Sequence, residues 1–231
     1  MAKLEPLGSF LGIPRPHTFV EPEDPSVDRG RKLKELVWDK VPKHLVGQQL
    51  NQRYAPLVTR FDWGSSWILL GETGAGKSTA CVHLVRELLR RGKLNGGKDF
   101  DLAKSIFWAR SDAITRAGGG DDDEAGKLLH RAEWSKLMVL DDLATPSKTL
   151  LGIIQQRYDR GLPIVATCGA MTRGLLTEIV GGEAVKRWIL ECGKARKGQV
   201  LMSEEAKRLD DIERAEKESK TQRVKQIGRR P

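Results

Sequence analysis

One stretch decides the fold: Ser66-Trp-Ile-Leu-Leu-Gly-Glu-Thr-Gly-Ala-Gly-Lys-Ser-Thr79. Residues 67–70 form a short apolar run that predicts a buried strand, and the apolar residues after the glycines recur at helical spacing. Between these two elements, Gly71 to Ser78 fit the pattern G-x-x-x-x-G-K-[ST], whose glycines let backbone N–H groups surround phosphate oxygens. The stretch therefore predicts a nucleotide-phosphate site at a strand-to-helix turn.

Two side chains of this loop have predicted chemistry of their own. A lysine at the position of Lys77 reaches the β- and γ-phosphates of a bound nucleotide, and a hydroxyl at the position of Ser78 ligates Mg²⁺. A loop with this spacing also arises by chance. The buried strand before it and the amphipathic helix after it favour the functional interpretation.

Length and composition restrict the class of protein. A chain of 231 residues with 39% hydrophobic residues can bury one α/β core and carry appendages. No apolar run is long enough to span a membrane, and the first residues lack the apolar core of a signal peptide, so we expect a cytoplasmic protein without a membrane partner. The cysteines Cys81, Cys168 and Cys192 and the scattered histidines indicate reduced thiols rather than disulfides or a zinc site.

The chain divides into three predicted segments. Residues 1–44 form a proline-rich arm and a short helix that can bind a partner or pack on the protein's own surface. Residues 45–202 form the core. A helical stretch from about residue 43 to 60, interrupted near Pro56, leads into its first strand. Residues 203–231 form a charged helix, which Ser203 caps, and a basic tail. The net charge of the whole chain is +9, which favours nucleic acid as a partner over a merely solvated surface.

Residues 136–143, Lys-Leu-Met-Val-Leu-Asp-Asp-Leu, predict a buried strand that ends in two acids. Charges at the carboxyl end of a parallel strand lie beside the phosphate loop, where Mg²⁺ requires oxygen ligands. Asp141 is therefore the predicted Walker B residue that orients the metal, and Asp142 is placed to activate the attacking water. A helix cap is the alternative explanation for the two acids.

Other segments complete the predicted sheet. Residues 105–109 and 199–202 predict strands, and residues 162–168 predict a strand adjacent to the first one, with Thr167 at its tip as a sensor of the γ-phosphate. Residues 118–124, three glycines followed by four acids, predict a mobile, solvated loop, with a metal site as the alternative.

Three segments together resemble a known family: Phe107-Trp-Ala-Arg-Ser-Asp-Ala-Ile114, Leu137-Met-Val-Leu-Asp-Asp-Leu143 and the stretch from Leu150 to Thr167, which contains an Arg-Tyr pair. They resemble the AAA+ ATPase core of DnaC-type helicase loaders and IstB-type transposition ATPases, over about residues 45–202. The resemblance implies an α/β fold of the P-loop NTPase class, AAA+ type, with a parallel sheet of about five strands flanked by helices.

The resemblance also implies roles for particular residues. Mg²⁺ is held by Ser78 and Asp141, while Asp142 stands at the catalytic-acid position. Arg187 matches the arginine that reaches into the ATP of a neighbouring subunit, a contact that can be worth about 10³–10⁵ in rate and that requires a homo-oligomer. An exposed helix arginine is the alternative, with Lys186 and Arg196 as rivals. The implied ATP-binding residues are Gly71, Glu72, Thr73, Gly74, Ala75, Gly76, Lys77, Ser78 and Thr79.

The implied function is that of an ATPase that acts on DNA as a loader of a replicative helicase. The DNA is expected to be single-stranded. An IstB-like helper of a transposase is the alternative within the family. Asp142 is one methylene shorter than the glutamate that many AAA+ proteins use, which predicts slow hydrolysis stimulated by DNA or a partner. Two other classes stay open: a P-loop kinase of small molecules or nucleosides, and a nucleotide-bound interaction protein with little turnover.

Overall fold

The computed structural model describes residues 41–90, 105–120 and 122–227. The predicted arm and helix of residues 1–40 and the last residues of the tail, 228–231, lie outside this range. The strands are β1 Ser66–Leu70, β2 Ile106–Arg110, β3 Leu137–Leu143, β4 Ile164–Cys168 and β5 Gly198–Met202. The helices are α1 Ala55–Arg60, α2 Lys77–Arg90, α3 Ser111–Ala117, α4 Asp123–Trp134, α5 Lys148–Arg160, α6 Arg173–Ile179, α7 Glu183–Glu191 and α8 Glu204–Ile227.

The five strands form one parallel sheet in the order β2-β3-β4-β1-β5. Alternate residues of β1 enter two separate cores: Trp67 and Leu69 pack with α1 and α2 on one face, and Ile68 and Leu70 pack with α5 and α7 on the other. Because helices cover both faces, the central strands are continuous apolar runs rather than alternating ones. The predicted α/β P-loop fold is confirmed.

The strand order brings the predicted site residues to one edge of the sheet. β4 pairs with β1, as predicted, so Thr167 lies opposite Leu69. β3 pairs with β4 on its other side. The phosphate loop follows β1, the two acids lie near the end of β3, and Thr167 lies near the end of β4. They therefore share the carboxyl edge, which is where open parallel sheets bind ligands.

The segment before β1 differs from its prediction. In place of a helix from about residue 43 to 60, two 3₁₀ turns at Lys43–Leu45 and Gln52–Tyr54 precede α1. Pro56 does not interrupt a helix but stands in the first turn of α1. Proline suits that position because its missing N–H has no helical partner there and its φ is already helical.

The acidic stretch 118–124 is not only a loop. The side chain of Asp122 accepts a hydrogen bond from the Ala125 N–H and so caps α4, whose first turn holds Asp123 and Glu124. Carboxylates stabilise this end of a helix because they face its partial positive charge. Among the described residues, no three histidine, cysteine or acidic side chains are grouped to hold a metal.

The last helix, α8, is fastened to the core at its beginning. Ser203 Oγ accepts a hydrogen bond from the Ala206 N–H (3.1 Å), which confirms the predicted cap. Further along, Asp210 Oδ1 accepts from the Arg173 N–H at the start of α6 (2.8 Å). α8 continues to Ile227 and so includes much of the predicted tail. In the described parts of the chain, no helix is long and apolar enough to cross a membrane.

A buried arginine joins α5 to the strands around it. Arg157 is fully buried, and its guanidinium donates to the carbonyl oxygens of Ala132, Ser135 and Pro163 at 2.7 to 3.0 Å. Burial lowers the pKa of Arg157 to about 9. The arginine of the Arg-Tyr pair in this helix therefore holds together the chain segments that enter β3 and β4.

Candidate nucleotide-binding site

The turn after β1 has the backbone that only glycine adopts readily. Gly71 has φ 146°, and a Cβ there would lie 2.8 Å from Ser203 Oγ and 2.9 Å from the Tyr54 hydroxyl oxygen. Gly76, just before α2, has φ 89°. Both conformations are costly for residues with a side chain, so the pattern found in the sequence corresponds to a real constraint on the loop.

Lys77 lies across the loop that it follows. Its Nζ donates to the carbonyl oxygens of Gly71 (2.7 Å) and Glu72 (2.8 Å). Burial lowers the pKa of Lys77, while the negative charge of Glu72 acts in the opposite direction. The ammonium group is therefore held at the mouth of the loop by two neutral acceptors, which anionic phosphate oxygens can replace.

Three of the predicted site residues form one cluster. Ser78 Oγ donates to Asp141 Oδ1 (2.6 Å), and Thr167 Oγ1 donates to the same oxygen (2.7 Å). Asp141 and Thr167 are buried. The structure thus brings together the two predicted metal ligands, Ser78 and Asp141, with the predicted sensor.

A bulge in β3 lies beside this cluster. Leu140 pairs with Ala166 and Leu143 pairs with Cys168, so two residues of β3 face the single residue Thr167 of β4. Such a bulge re-aims side chains beside a site. Residues 137 and 139 lie in the core on the side of α2, so regular alternation already directs Asp141 to Ser78, and the bulge turns Leu143 to the opposite core.

Asp142, the predicted catalytic acid, is fixed in an unusual conformation. Its φ is 57°, in the left-handed region. Its N–H donates to Thr167 Oγ1 (2.8 Å), and its carbonyl oxygen accepts from Ser111 Oγ (2.7 Å). The exposed carboxylate pairs with Arg110, whose Nη2 lies 2.9 Å from Oδ2. The structure therefore places Asp142 at the site but directs its carboxylate to Arg110 at the end of β2.

The segment before α1 also contributes to the site, which was not predicted. Asn51 Nδ2 donates to the carbonyl oxygen of Ala75 in the loop (2.9 Å), and Thr79 Oγ1 donates to Gln48 Oε1 (2.8 Å). His83 Nε2 lies 2.9 Å from the Gln48 carbonyl oxygen. Residues 48–51 thus lie against the phosphate loop and the start of α2. Their polar side chains carry no periodic pattern that could have identified them.

Arg187 is placed on α7, away from this cluster. Its exposed guanidinium pairs with Glu191 one turn along the helix, at 3.0 Å between Nε and Oε1. Within the described residues, no hydrogen bond joins Arg187 to the phosphate loop. Of its rivals, Lys186 donates to Thr177 and pairs with Glu183, and Arg196 lies over the Tyr158 ring. Arg187 is therefore the member of this group that is freest to contact another molecule.

No family model matches the chain, and no curated protein matches it in sequence. The crystal structure of the DnaC helicase loader aligns with 74% of this chain and 99% of that chain, with a TM-score of 0.50 and 19% identity. The chain shares its fold with the DnaC helicase loader. The crystal structure of DnaI covers 76% of this chain and 96% of that chain, with a TM-score of 0.49 and 17% identity.

The resemblance to the DnaC/IstB-like AAA+ proteins is thus confirmed as a resemblance of fold. The side chains on the carboxyl edge fit what that fold implies. Ser78 and Asp141 offer a hydroxyl and a carboxylate, the oxygen ligands that Mg²⁺ prefers, and the turn at Gly71 has no room for a Cβ. These residues can hold a nucleotide phosphate and a magnesium ion.

Proposed function

We propose that this protein is an ATP-dependent AAA+ ATPase that acts on DNA as a loader of a replicative helicase. The observation that carries the proposal is the cluster of Ser78, Asp141 and Thr167 beside the glycine-rich loop, at the carboxyl edge of a parallel sheet. The cluster places a hydroxyl, a carboxylate and a second hydroxyl where the loop ends. Nucleotide kinases share the loop, so the choice of an ATPase rests on Thr167 and Asp142 in addition.

In the proposed site, Lys77 exchanges the carbonyl oxygens of Gly71 and Glu72 for phosphate oxygens. Ser78 and Asp141 would hold a Mg²⁺ ion, which would supply charge neutralisation beside the bound phosphates. Thr167, whose hydroxyl bridges Asp141 and the Asp142 N–H, holds the catalytic acid in register with the magnesium ligand.

Hydrolysis in the proposed site requires two rearrangements. The Asp142 carboxylate has to leave Arg110 in order to accept a proton from water, and Arg187 has to reach the nucleotide of a neighbouring subunit. Both side chains are exposed, so their present ion pairs are weak. We therefore expect slow hydrolysis by the single chain and faster hydrolysis in a homo-oligomer on DNA or with its partner.

Two features support DNA and a helicase as partners. The net charge of +9 favours polyanions. A solved structure that shares this fold, with a TM-score of 0.50, is that of a helicase loader. Single-stranded DNA is the expected form because a loader places a helicase on separated strands.

The proposal is tested by measuring phosphate release from ATP with and without single-stranded DNA, a replicative helicase or a transposase. We expect single-stranded DNA or the helicase to raise the rate, and Lys77→Ala to abolish nucleotide binding. Stimulation by a transposase alone would identify the transposition role instead. Transfer of phosphate from ATP to a nucleoside would identify a kinase, and tight binding without stimulated turnover would identify an interaction protein.

The interface role is tested separately with Arg187→Ala. We expect this variant to bind ATP as the wild type does but to lose the stimulated hydrolysis. The contact of such an arginine with the ATP of a neighbouring subunit is worth about 10³–10⁵ in rate. Lys127→Ala is the control, since Lys127 is also an exposed helix cation with an acidic partner on its own helix, Glu124. An unaffected stimulated rate in Arg187→Ala would remove this assignment.

A further inference from the structure

Glu72 introduces a negative charge into a loop that is proposed to bind phosphates. It is the first residue after Gly71, and its carbonyl oxygen accepts from Lys77 Nζ (2.8 Å). Its carboxylate accepts a hydrogen bond from Ser203 Oγ (2.6 Å), which holds the pKa of Glu72 below its ordinary value. Glu72 is therefore charged at neutral pH, and its charge acts on Lys77, the lysine expected to bind phosphate.

A fixed carboxylate beside a polyphosphate opposes binding, because like charges repel each other over several ångströms even in water. Glu72 is exposed, so solvent screens part of this repulsion. The direction in which its carboxylate points decides how much remains. In this structure the carboxylate is turned towards the first residues of α8.

Ser203 fixes that direction through four contacts. Its N–H donates to the Leu70 carbonyl oxygen (3.0 Å), and its Oγ accepts from the Ala206 N–H while donating to Glu72. Its side chain also fills the space that a Cβ on Gly71 would need. Ser203 is buried and has little freedom to move.

At the beginning of α8 the free N–H groups favour a negative charge, while the first-turn carboxylates Glu204 and Glu205 oppose it. The first turn of a helix carries partial positive charge from its free N–H groups, which stabilises a nearby carboxylate. Arg53 forms an ion pair with Glu204, the first residue of α8, and so fastens the helix to the segment before α1. The carboxylate of Glu72 is thus drawn to a helix end that is itself anchored.

We propose that Ser203 is a positioning residue for nucleotide binding, which holds the Glu72 carboxylate at the beginning of α8 and away from the bound phosphates. The inference rests on the proposed function, because it concerns the same phosphate loop. It adds that α8 and the nucleotide are coupled. A docked α8 favours nucleotide, and by reciprocity a bound nucleotide favours the docked α8.

The test measures the dissociation constant of ADP by isothermal titration calorimetry for the full chain. Ser203→Ala removes the bond to Glu72, and we expect binding to weaken by about threefold to tenfold, the range for a partly screened bond to a charged group. Glu72→Gln removes the charge, and we expect it to bind ADP at least as tightly as the wild type. In the Glu72→Gln background, Ser203→Ala should change the affinity by less than about twofold, because no charge is left to position.

Two variants separate this role from helix capping. Ser203→Asp retains a cap for α8 but repels Glu72, so we expect ADP binding at least as weak as that of Ser203→Ala. Ser147→Ala removes the equivalent cap from α5, far along the chain from Glu72, and should leave ADP affinity unchanged. Wild-type affinity in Ser203→Ala or Ser203→Asp would overturn the inference, as would an equal loss on Ser203→Ala in the wild-type and Glu72→Gln backgrounds. Absence of ADP binding by the wild type would instead overturn the proposed function and the inference with it.

Discussion

Replacing Thr167 with valine is the most direct test of the buried cluster. The change keeps the shape of the side chain and replaces the hydroxyl with a methyl group. That hydroxyl donates to Asp141 Oδ1 (2.7 Å) and accepts from the Asp142 N–H (2.8 Å). Thr167 is 1% exposed, so water cannot replace either bond.

The expected loss of stability follows from the two groups that lose the hydroxyl as a partner, the Asp141 carboxylate and the Asp142 N–H. A hydrogen bond to a charged group contributes about 1.5–3 kcal/mol, and a stranded buried N–H costs about 1–3 kcal/mol. The two terms share one hydroxyl and are not additive, and Asp141 keeps its bond from Ser78. We therefore expect Thr167→Val to lower the free energy of unfolding by about 2–4 kcal/mol.

Thermal unfolding of the nucleotide-free protein, followed by circular dichroism, measures this effect. For a domain of this size 1 kcal/mol corresponds to about 2–4 °C, so the Tm should fall by at least about 4 °C. Thr167→Ser is the matched control: it keeps the hydroxyl, loses one methyl group and should cost only about 1 kcal/mol. A valine variant as stable as the serine variant would refute the reasoning.

The remaining predictions concern the exposed pair and the thiols. Arg110→Ala should raise basal ATP hydrolysis up to about fivefold at unchanged nucleotide affinity, because an exposed ion pair holds the Asp142 carboxylate by about 0.2–1 kcal/mol. Single-turnover kinetics measure this, and an unchanged rate would show that the pair does not restrain Asp142. Burial raises the pKa of Cys81, Cys168 and Cys192, that of Cys192 to about 12. Ellman's reagent at pH 8 should therefore label all three in denaturant but none quickly in the native protein, and rapid native labelling would contradict their burial.

The strands were predictable because of how a parallel sheet is covered. Helices on both faces require continuous apolar runs, so residues 67–70 and 137–140 stand out in the sequence without any alternating pattern. The position of Thr167 was predictable for a related reason. Its strand was expected beside β1, and the carboxyl ends of parallel strands share one edge.

The remaining contacts depend on backbone detail that no residue pattern encodes. The contact of Arg110 with Asp142 exists because a bulge in β3 sets Asp142 at φ 57°. The contact of Asn51 with the loop joins a side chain to a carbonyl oxygen 24 residues along the chain. Such bonds involve one residue at each end and leave no periodicity in the sequence. Ser203 was predicted as a cap, but its second bond, to Glu72, was not, because a capping pattern describes only the helix it begins.

The site therefore has a rigid part and an adjustable part. Ser78, Asp141 and Thr167 are joined through one carboxylate oxygen of the buried Asp141, so any rearrangement there would break bonds that water cannot replace. The ion pairs of Asp142 with Arg110 and of Arg187 with Glu191 are exposed, and breaking either one costs at most about 1 kcal/mol of free energy. On the proposed function, nucleotide binding leaves the cluster in place, and control of hydrolysis acts through the exposed pairs. Releasing Asp142 can account for only about fivefold, whereas an arginine from a second copy has the strength for a much larger stimulation.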